Sequence, residues 1–513
     1  MTPSAKASAL VFATAVALYV PTARYGFVQD DRGIVELNPA AHSVGAALRA
    51  FDQAWWPPPS RAGLYRPLAV VSLAVDWTIS GGRPGRLHLM NALWHGVAAV
   101  LVVLVFARWL PLAGAALAGF VFAVHPVHVE AVATLVSRTE LLATTGMLAG
   151  VLAARRGWWA ASVACAAAAM LGKEHGVATG VLILLDDWLQ PAGSRRYPSV
   201  FYAVLAAITA AYLAVWFHVG REATLDVAPP FIGAGTGQRL AVALPATWRA
   251  ALLLVWPLDL SADYNPQVIP VRSGMSLGAV AGALVVLTVP LLGWWSRRRA
   301  PGVAFAVAAA VLTYMPTSNL LFPSGVVLTE RGLYLAVALV AALAGYGYAR
   351  AAAARRRGPA SVVALAVCAL LALRSLQRLP SWRDNKTFLL TLLTEHPESY
   401  RAHKWAATVL AGMGDTTGAR REYARADSIF SGDPYLDASR AYFLVWSGDT
   451  TGVAALVERA RRFLPQHPFA LRARFLLLAR RGDRAGARAL ADSVGQWSDL
   501  DTDWYRQEIQ RVK

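Results

Sequence analysis

Cysteine is almost absent from the chain: of 513 residues only Cys165 and Cys368 carry a thiol, each inside an apolar run. That argues against a structural disulfide and says little about redox compartment. Charge is scarce as well, at 16% of residues against 56% hydrophobic. Such a balance excludes a water-soluble fold for the whole chain. Acids are short relative to bases, 31 against 49, and leave a formal charge of +18. Its distribution argues against a nucleic-acid partner, because residues 1–380 hold 29 Lys/Arg against 15 Asp/Glu and residues 381–513 hold 20 against 16. The excess therefore belongs to the apolar part, in short clusters: Arg155-Arg156, Arg195-Arg196, Arg297-Arg298-Arg299, and Arg350 with Arg355-Arg356-Arg357. Positive residues placed between apolar runs mark cytoplasmic loops.

What is present is a succession of apolar runs. A helix needs about 20 residues to cross a hydrocarbon core of roughly 30 Å. Candidate crossings fall near 7–22, 66–80, 88–109, 137–154, 157–172, 175–190, 199–219, 275–296, 302–316, 325–349 and 359–375. The first follows Lys6, lacks a small-residue cleavage site, and is expected to be a retained span rather than a signal peptide. Two further stretches, 111–124 and 238–258, are expected to be re-entrant or interfacial; the former ends at His125-Pro126 and the latter carries Arg249. With these excluded, the basic loops share one side. The expectation is an all-α polytopic membrane bundle of about eleven spans in the plasma membrane (inner membrane). Its N-terminus is cytoplasmic and its tail external.

After Pro380 the composition changes and a repeat begins. Gly414-Asp415, Gly448-Asp449 and Gly482-Asp483 recur every 34 residues, with Gly418, Gly452 and Gly486 at a fixed offset and Pro434 and Pro468 in step. This is the tetratricopeptide period. The expected division is a membrane domain at 1–380, a linker at 381–397, about three repeats at 398–495 and a capping segment at 496–513. A short helical solenoid offers a concave face for a peptide or a surface for oligomerisation.

Charges kept near membrane are functional candidates. Asp30 and Asp31, in Phe27-Val28-Gln29-Asp30-Asp31, lie in the first external loop and offer a general base; a solvated loop or helix cap is the alternative. Arg66 follows, then His88, Asn91 and His95 on one helical face, which reads as interhelical packing. His125, His128 and Glu130 are residue types that ligate metals, but Pro126 breaks the helical spacing of a zinc site, so no metal is predicted. Arg138, Lys173-Glu174-His175 and Glu330-Arg331-Gly332-Leu333-Tyr334 complete the external polar groups. Cations beside a carboxylate suit a lipid-phosphate leaving group and a hydroxyl nucleophile, although each charge alone reads equally as an ion pair or interface anchor.

Seven motifs in order, FVQDD, YRPLAVVSLAVDW, HLMNALWH, FAVHPVHVEAVATLVSRTELLA, MLGKEHGV, WPLDLSADY and FPSGVVLTERGLYL, precede SWRDN and the repeats. Together they resemble the transmembrane and tetratricopeptide repeat-containing O-mannosyltransferases, of the GT-C class of membrane glycosyltransferases. The resemblance covers nearly the whole chain. It implies a GT-C-like fold, a polyprenyl- or dolichyl-phosphate sugar donor, usually mannose, and a Ser/Thr acceptor on a protein at the non-cytoplasmic face. By position, Asp30 or Asp31 becomes the base of an inverting transfer. Arg138, Lys173 and Arg331 are expected to hold the donor phosphate, and Arg66, His125, His128, Glu130, Glu174, Glu330 and Tyr334 to shape the cavity. No cofactor is firmly implied; a divalent cation is compatible with the residues but is not predicted. The repeats, fewer than is usual in the animal proteins, are expected to choose the acceptor while the membrane part makes the bond. Two rivals remain: a non-catalytic scaffold that recruits partners through its repeats, and the same chemistry on a glycan or lipid.

Overall fold

A computed structural model describes residues 2–57, 63–190, 197–220, 227–271, 274, 276–495 and 499–511. The basic pair Arg195-Arg196 and parts of the 496–513 segment lie outside the described residues. Regular structure among those described is helical, with an isolated bridge between Pro266 and Ile269. Five helices are long and apolar enough to cross a membrane: Pro3–Arg24, Pro84–Phe106, Ser199–Val219, Leu277–Ser296 and Arg357–Trp382. Shorter apolar helices, among them Leu112–Val124, Trp159–Gly172, Pro301–Thr317 and Val337–Ala353, complete a multi-pass membrane bundle.

Helix starts follow local chemistry. Pro67, Pro84 and Pro301 each stand in a first turn, where no N–H is needed, and Ser276 caps its helix by accepting from Ala279 N. Inside the bundle, small residues let backbones touch. A Cβ at Gly114 would sit 2.9 Å from Gly345 O, and one at Gly345 would sit 2.6 Å from Gly114 O. Van der Waals contact of this kind, rather than the hydrophobic effect, holds helices together in lipid.

Contacts between loops define the two ends of the bundle. At one end Arg155 pairs with Asp186, donates to Val105 O at 2.7 Å and lies over Trp109, while Trp109 and Tyr346 crowd Gly302. At the other, His88 Nε2 meets Gly26 O at 3.1 Å, Arg66 pairs with Glu174, and Ser375 donates to Val124 O. Helix Leu112–Val124 runs from the first end to the second. It runs through the depth of the bundle, where the sequence suggested a re-entrant or interfacial stretch; its 13 residues span only about 20 Å, and Gly119 lies against Val103 and Val11.

Helix Pro67–Ser80, expected to cross, lies at one end of the bundle. Both its ends stay at the second end of the bundle, Arg66 beside Glu174 and Ser80 O beside Arg86, while Trp77 stacks on His42 from the 23–65 loop at 3.9 Å. Its apolar face is covered by Ile34, Val35, Ala41 and Trp55 in a satellite core. Helix Thr236–Val255 is tied at both ends to that same region, through Arg239 to Asn319 O and through Leu254 O to His125.

The 34-residue period has a local cause. Gly414, Gly448 and Gly482 hold φ of 84°, 95° and 81°, a left-handed turn that glycine enters without strain. The aspartates beside them cap the start of the next helix: Asp415 Oδ1 accepts from Gly418 N and Asp483 Oδ1 from Gly486 N, both at 2.8 Å. Pro434 and Pro468 open the first helices of the next units rather than closing the preceding ones. Residues 381–397, expected as a linker, carry helix Asn385–Glu395. Its Phe388 and Leu392 join the main core with Trp382, whereas Tyr400, Tyr423 and Phe443 belong to a core of the repeats.

Candidate functional site

The acidic pair sits on a tight turn. Asp31 N donates to Val28 O at 3.0 Å, and Gln29 within the turn has φ of 51°. From this turn the two carboxylates diverge. Asp31 is fully buried; its Oδ1 accepts from Val136 N at 2.9 Å and its Oδ2 from Val28 N at 3.4 Å. Burial pushes its carboxyl up to about 7, against the pull of the backbone N–H groups of Val136, Leu135 and Val28. Asp30, by contrast, leaves 41% of its side chain exposed and lies 3.9 Å from the Arg331 guanidinium. The pair thus divides into a buried clasp and an accessible acid, and only Asp30 is placed to meet a substrate.

Arg331 is oriented by Glu130. Its backbone N–H donates to Glu130 Oε2 at 2.8 Å, and its Nε lies 3.5 Å from Oε1. Burial raises the Glu130 carboxyl, an effect that Arg331 opposes. Next to this pair stand two others. Lys173 bonds Glu140, with His175 Nε2 3.6 Å from the same carboxylate. Arg66 grips Glu174 with two nitrogens, at 2.9 and 3.0 Å, under Trp55. These groups feel one another: Lys173 senses Arg66 and Arg331, and Glu130 senses Glu140 and Lys173. They form one electrostatic unit at the loop end of the bundle. Every cation in it has a carboxylate partner, so an anion entering there meets charges already held in orientation.

Not every expected residue joins this unit. Arg138, expected at the donor phosphate, is wholly buried elsewhere. Asp76, Asn91, Ser72 and Leu87 O take up four of its five N–H donors, and the head is closed off from solvent. The reason is Asp76, which comes from the helix that stays at the loop end of the bundle. Tyr334 and His128, expected to shape the cavity, instead pack with His95 and Phe122 inside the bundle, where His95 Nδ1 meets Tyr334 Oη at 2.7 Å. His125 bonds Leu254 O. Glu330 turns to Ser261 N, Tyr264 Oη and Arg378. Among the described residues no group of three metal-ligating side chains could hold an ion. A cavity of about 480 Å³, lined by Trp295, Arg299, Tyr346 and Arg350, opens at the opposite, basic end, away from the acid turn.

Sequence reasoning missed the contribution of the tail. Gln29 N donates to Asn385 Oδ1 at 2.8 Å, and Gly26 N to Arg383 O at 3.0 Å. Arg401, on the first repeat helix, lies 3.5 Å from Asp263 and senses Asp30. The motifs SWRDN and WPLDLSADY contain these partners, but as motifs they do not say what they touch.

No family model matches the chain. It is similar to curated protein O-mannosyl-transferases: human TMTC3 at 24% identity over 430 residues, covering 75% of this chain and 47% of that protein, and human TMTC4 at 27% over 422 residues, covering 70% and 57%. Drosophila melanogaster Tmtc2 is 31% identical over 281 residues, covering 50% and 30%. The resemblance read from the motifs is thus met, while the chain spans about half the length of these relatives. Among solved structures, ArnT from Cupriavidus metallidurans bound to undecaprenyl phosphate aligns with a TM-score of 0.40 at 16% identity, covering 95% of this chain and 80% of that one.

Proposed function

We propose that this protein is a membrane glycosyltransferase that moves a sugar, mannose by analogy with its relatives, from a polyprenyl-phosphate donor to Ser/Thr hydroxyls of exported proteins. The observation that carries the reading is Asp30, an accessible carboxylate on a strained turn, facing Arg331 beside the Lys173 and Arg66 pairs. Asp30 takes the proton from the acceptor hydroxyl as its oxygen attacks the anomeric carbon. The bond from that carbon to the phosphate oxygen breaks, and its electron pair leaves with the lipid phosphate. Direct displacement inverts the anomeric centre and needs no glycosyl-enzyme. Arg331, set by Glu130, and Lys173, set by Glu140, stabilise the charge that develops on the departing phosphate. Basic loops at the far end support an orientation with this site on the non-cytoplasmic side.

The test is transfer by the purified protein from mannosyl polyprenyl phosphate to a short Ser/Thr peptide, read by intact mass. The expected result is one added hexose with wild type and none with Asp30→Asn. Absence of any sugar addition, together with unchanged masses of exported proteins when the gene is deleted, would favour the scaffold reading; addition to glycan or lipid alone would change the acceptor class.

A further inference from the structure

The acid turn is held from two directions. On the membrane side Val136 N grips Asp31; on the other, a segment more than 350 residues further along the chain approaches, and Asn385 Oδ1 accepts from Gln29 N. Gln29 has φ of 51°, a left-handed conformation that is unfavourable for a residue with a side chain and persists only where its surroundings impose it. Asn385 and the neighbouring Gly26 N to Arg383 O bond are such surroundings.

The anchor is itself rigid. Asn385 is the first residue of helix Asn385–Glu395, which Asp384 caps through Thr387 N at 2.7 Å. That helix is fastened by Phe388 and Leu392 in the main core and by Arg378, which bridges Glu395 at 2.6 Å and Glu330. Asp30 is the residue directly after Gln29. A rotation of the turn therefore carries its carboxylate away from Arg331. An oxygen is needed opposite Gln29 N; aspartate also offers one, whereas leucine matches the shape and does not.

We propose that Asn385 is a positioning residue for Asp30, so that the segment leading into the repeats completes the active site rather than merely connecting to it. This rests on Asp30 as the base. Such placement is steep in its effect, since a displacement of about 1 Å at a reacting group costs roughly 10²-fold.

The test is steady-state transfer by the full chain with Asn385→Leu, Asn385→Asp, Gln29→Gly and the double variant Asn385→Leu/Gln29→Gly, beside Asp30→Asn. The expected result is a kcat roughly 10- to 100-fold lower for Asn385→Leu with the KM for the lipid donor unchanged. Asn385→Asp should stay near wild type, and Gln29→Gly, which adopts the turn without help, should restore part of the loss in the double variant. Should Asn385→Leu fail to insert, Asn385→Ser, too short to reach Gln29 N, takes its place with the same expectation. A wild-type kcat in Asn385→Leu or Asn385→Ser, with Asp30→Asn inactive, overturns the proposal and leaves the base intact. Full activity in Asp30→Asn removes the base itself, and with it the premise. A loss in Asn385→Leu that Gln29→Gly does not relieve, equalled by Asn385→Asp, also overturns it.

Discussion

Arg331 meets Glu130 twice over, once through its backbone N–H at 2.8 Å and once through its guanidinium Nε at 3.5 Å, and its Nη1 lies 3.9 Å from Asp30 Oδ2. The carboxylate thus fixes both the turn that carries the arginine and the plane of its head. Arg331→Lys keeps the charge and the backbone bond but loses the planar fork. Transfer should fall roughly 10- to 100-fold in kcat/KM, with the protein as stable as wild type. Kinetics at varied donor concentration check this. An unchanged kcat/KM would take Arg331 out of donor binding.

Asp30 and Asp31 should separate cleanly under the same substitution. Asp30→Asn replaces a partly exposed group and should leave the melting temperature within error while lowering transfer by about 10²-fold or more. Asp31→Asn sets an amide NH2, whose lone pair is delocalised and cannot accept, against a backbone N–H of Val136 or Val28, and should cost about 1–3 kcal/mol of stability. Thermal unfolding in detergent measures the second and peptide transfer the first. Equal effects of the two variants on both measurements would refute the division of the pair.

The buried carboxyl also sets a pH dependence. Asp31 rises from its ordinary 3.8 to about 7 in the folded protein, chiefly through burial. Between those values the folded state keeps a proton that the unfolded chain has released. Its contribution to stability is therefore full below about pH 4 and is lost as pH rises through about 7. The wild-type melting temperature should decline between pH 5 and 8 more steeply than that of Asp31→Asn, so the gap between them narrows as pH rises. Parallel curves would mean that Asp31 does not titrate in that window.

These residues also show what a sequence can reveal. The repeat was legible because its cause is local: a glycine at positive φ followed by a capping aspartate recurs at each turn. The bundle was legible as a series of apolar runs, but the place of two short ones was not. Segments 66–80 and 111–124 are both too short for length to decide, and only their neighbours, His42 and Glu174 for one and Val11 and Gly345 for the other, show which lies at one end of the bundle and which runs through its depth. Asp30 and Asp31 stood out as a pair, yet their separation depends on Val136, which is 105 residues away. Arg138 had the right charge for a phosphate and a partner, Asp76, that only the fold brings to it.

If Asn385 positions the acid turn as proposed, the division of labour between membrane part and tail shifts, and truncation is the experiment that tests it. From sequence, a cut after Arg378 should spare transfer to a short peptide, because the repeats carry their own periodic core. In the folded chain that cut removes Asn385 from the acid turn, Phe388 and Leu392 from the main core, and Glu395 from Arg378, whose guanidinium is then left buried with fewer partners. Truncation after Arg378 should therefore abolish peptide transfer and lower stability. A cut after Glu398 keeps helix Asn385–Glu395 and all three contacts, and forfeits at this seam the bonds of Ser399 and Arg401 to Asp263 and the packing of Ala402 and Trp405 on the main core. The shortened protein should transfer to a short Ser/Thr peptide within about tenfold of wild type and, on the proposal that the repeats hold remote parts of the acceptor, lose most transfer to its native protein acceptor. Side-by-side assays of both truncations, with melting temperatures to establish that each is folded, check the expectation. If the Glu398 truncation is folded yet inactive on peptide, the first repeat helix, with Arg401 near Asp30, belongs to the site as well; if the Arg378 truncation is active, the acid turn stands without the tail.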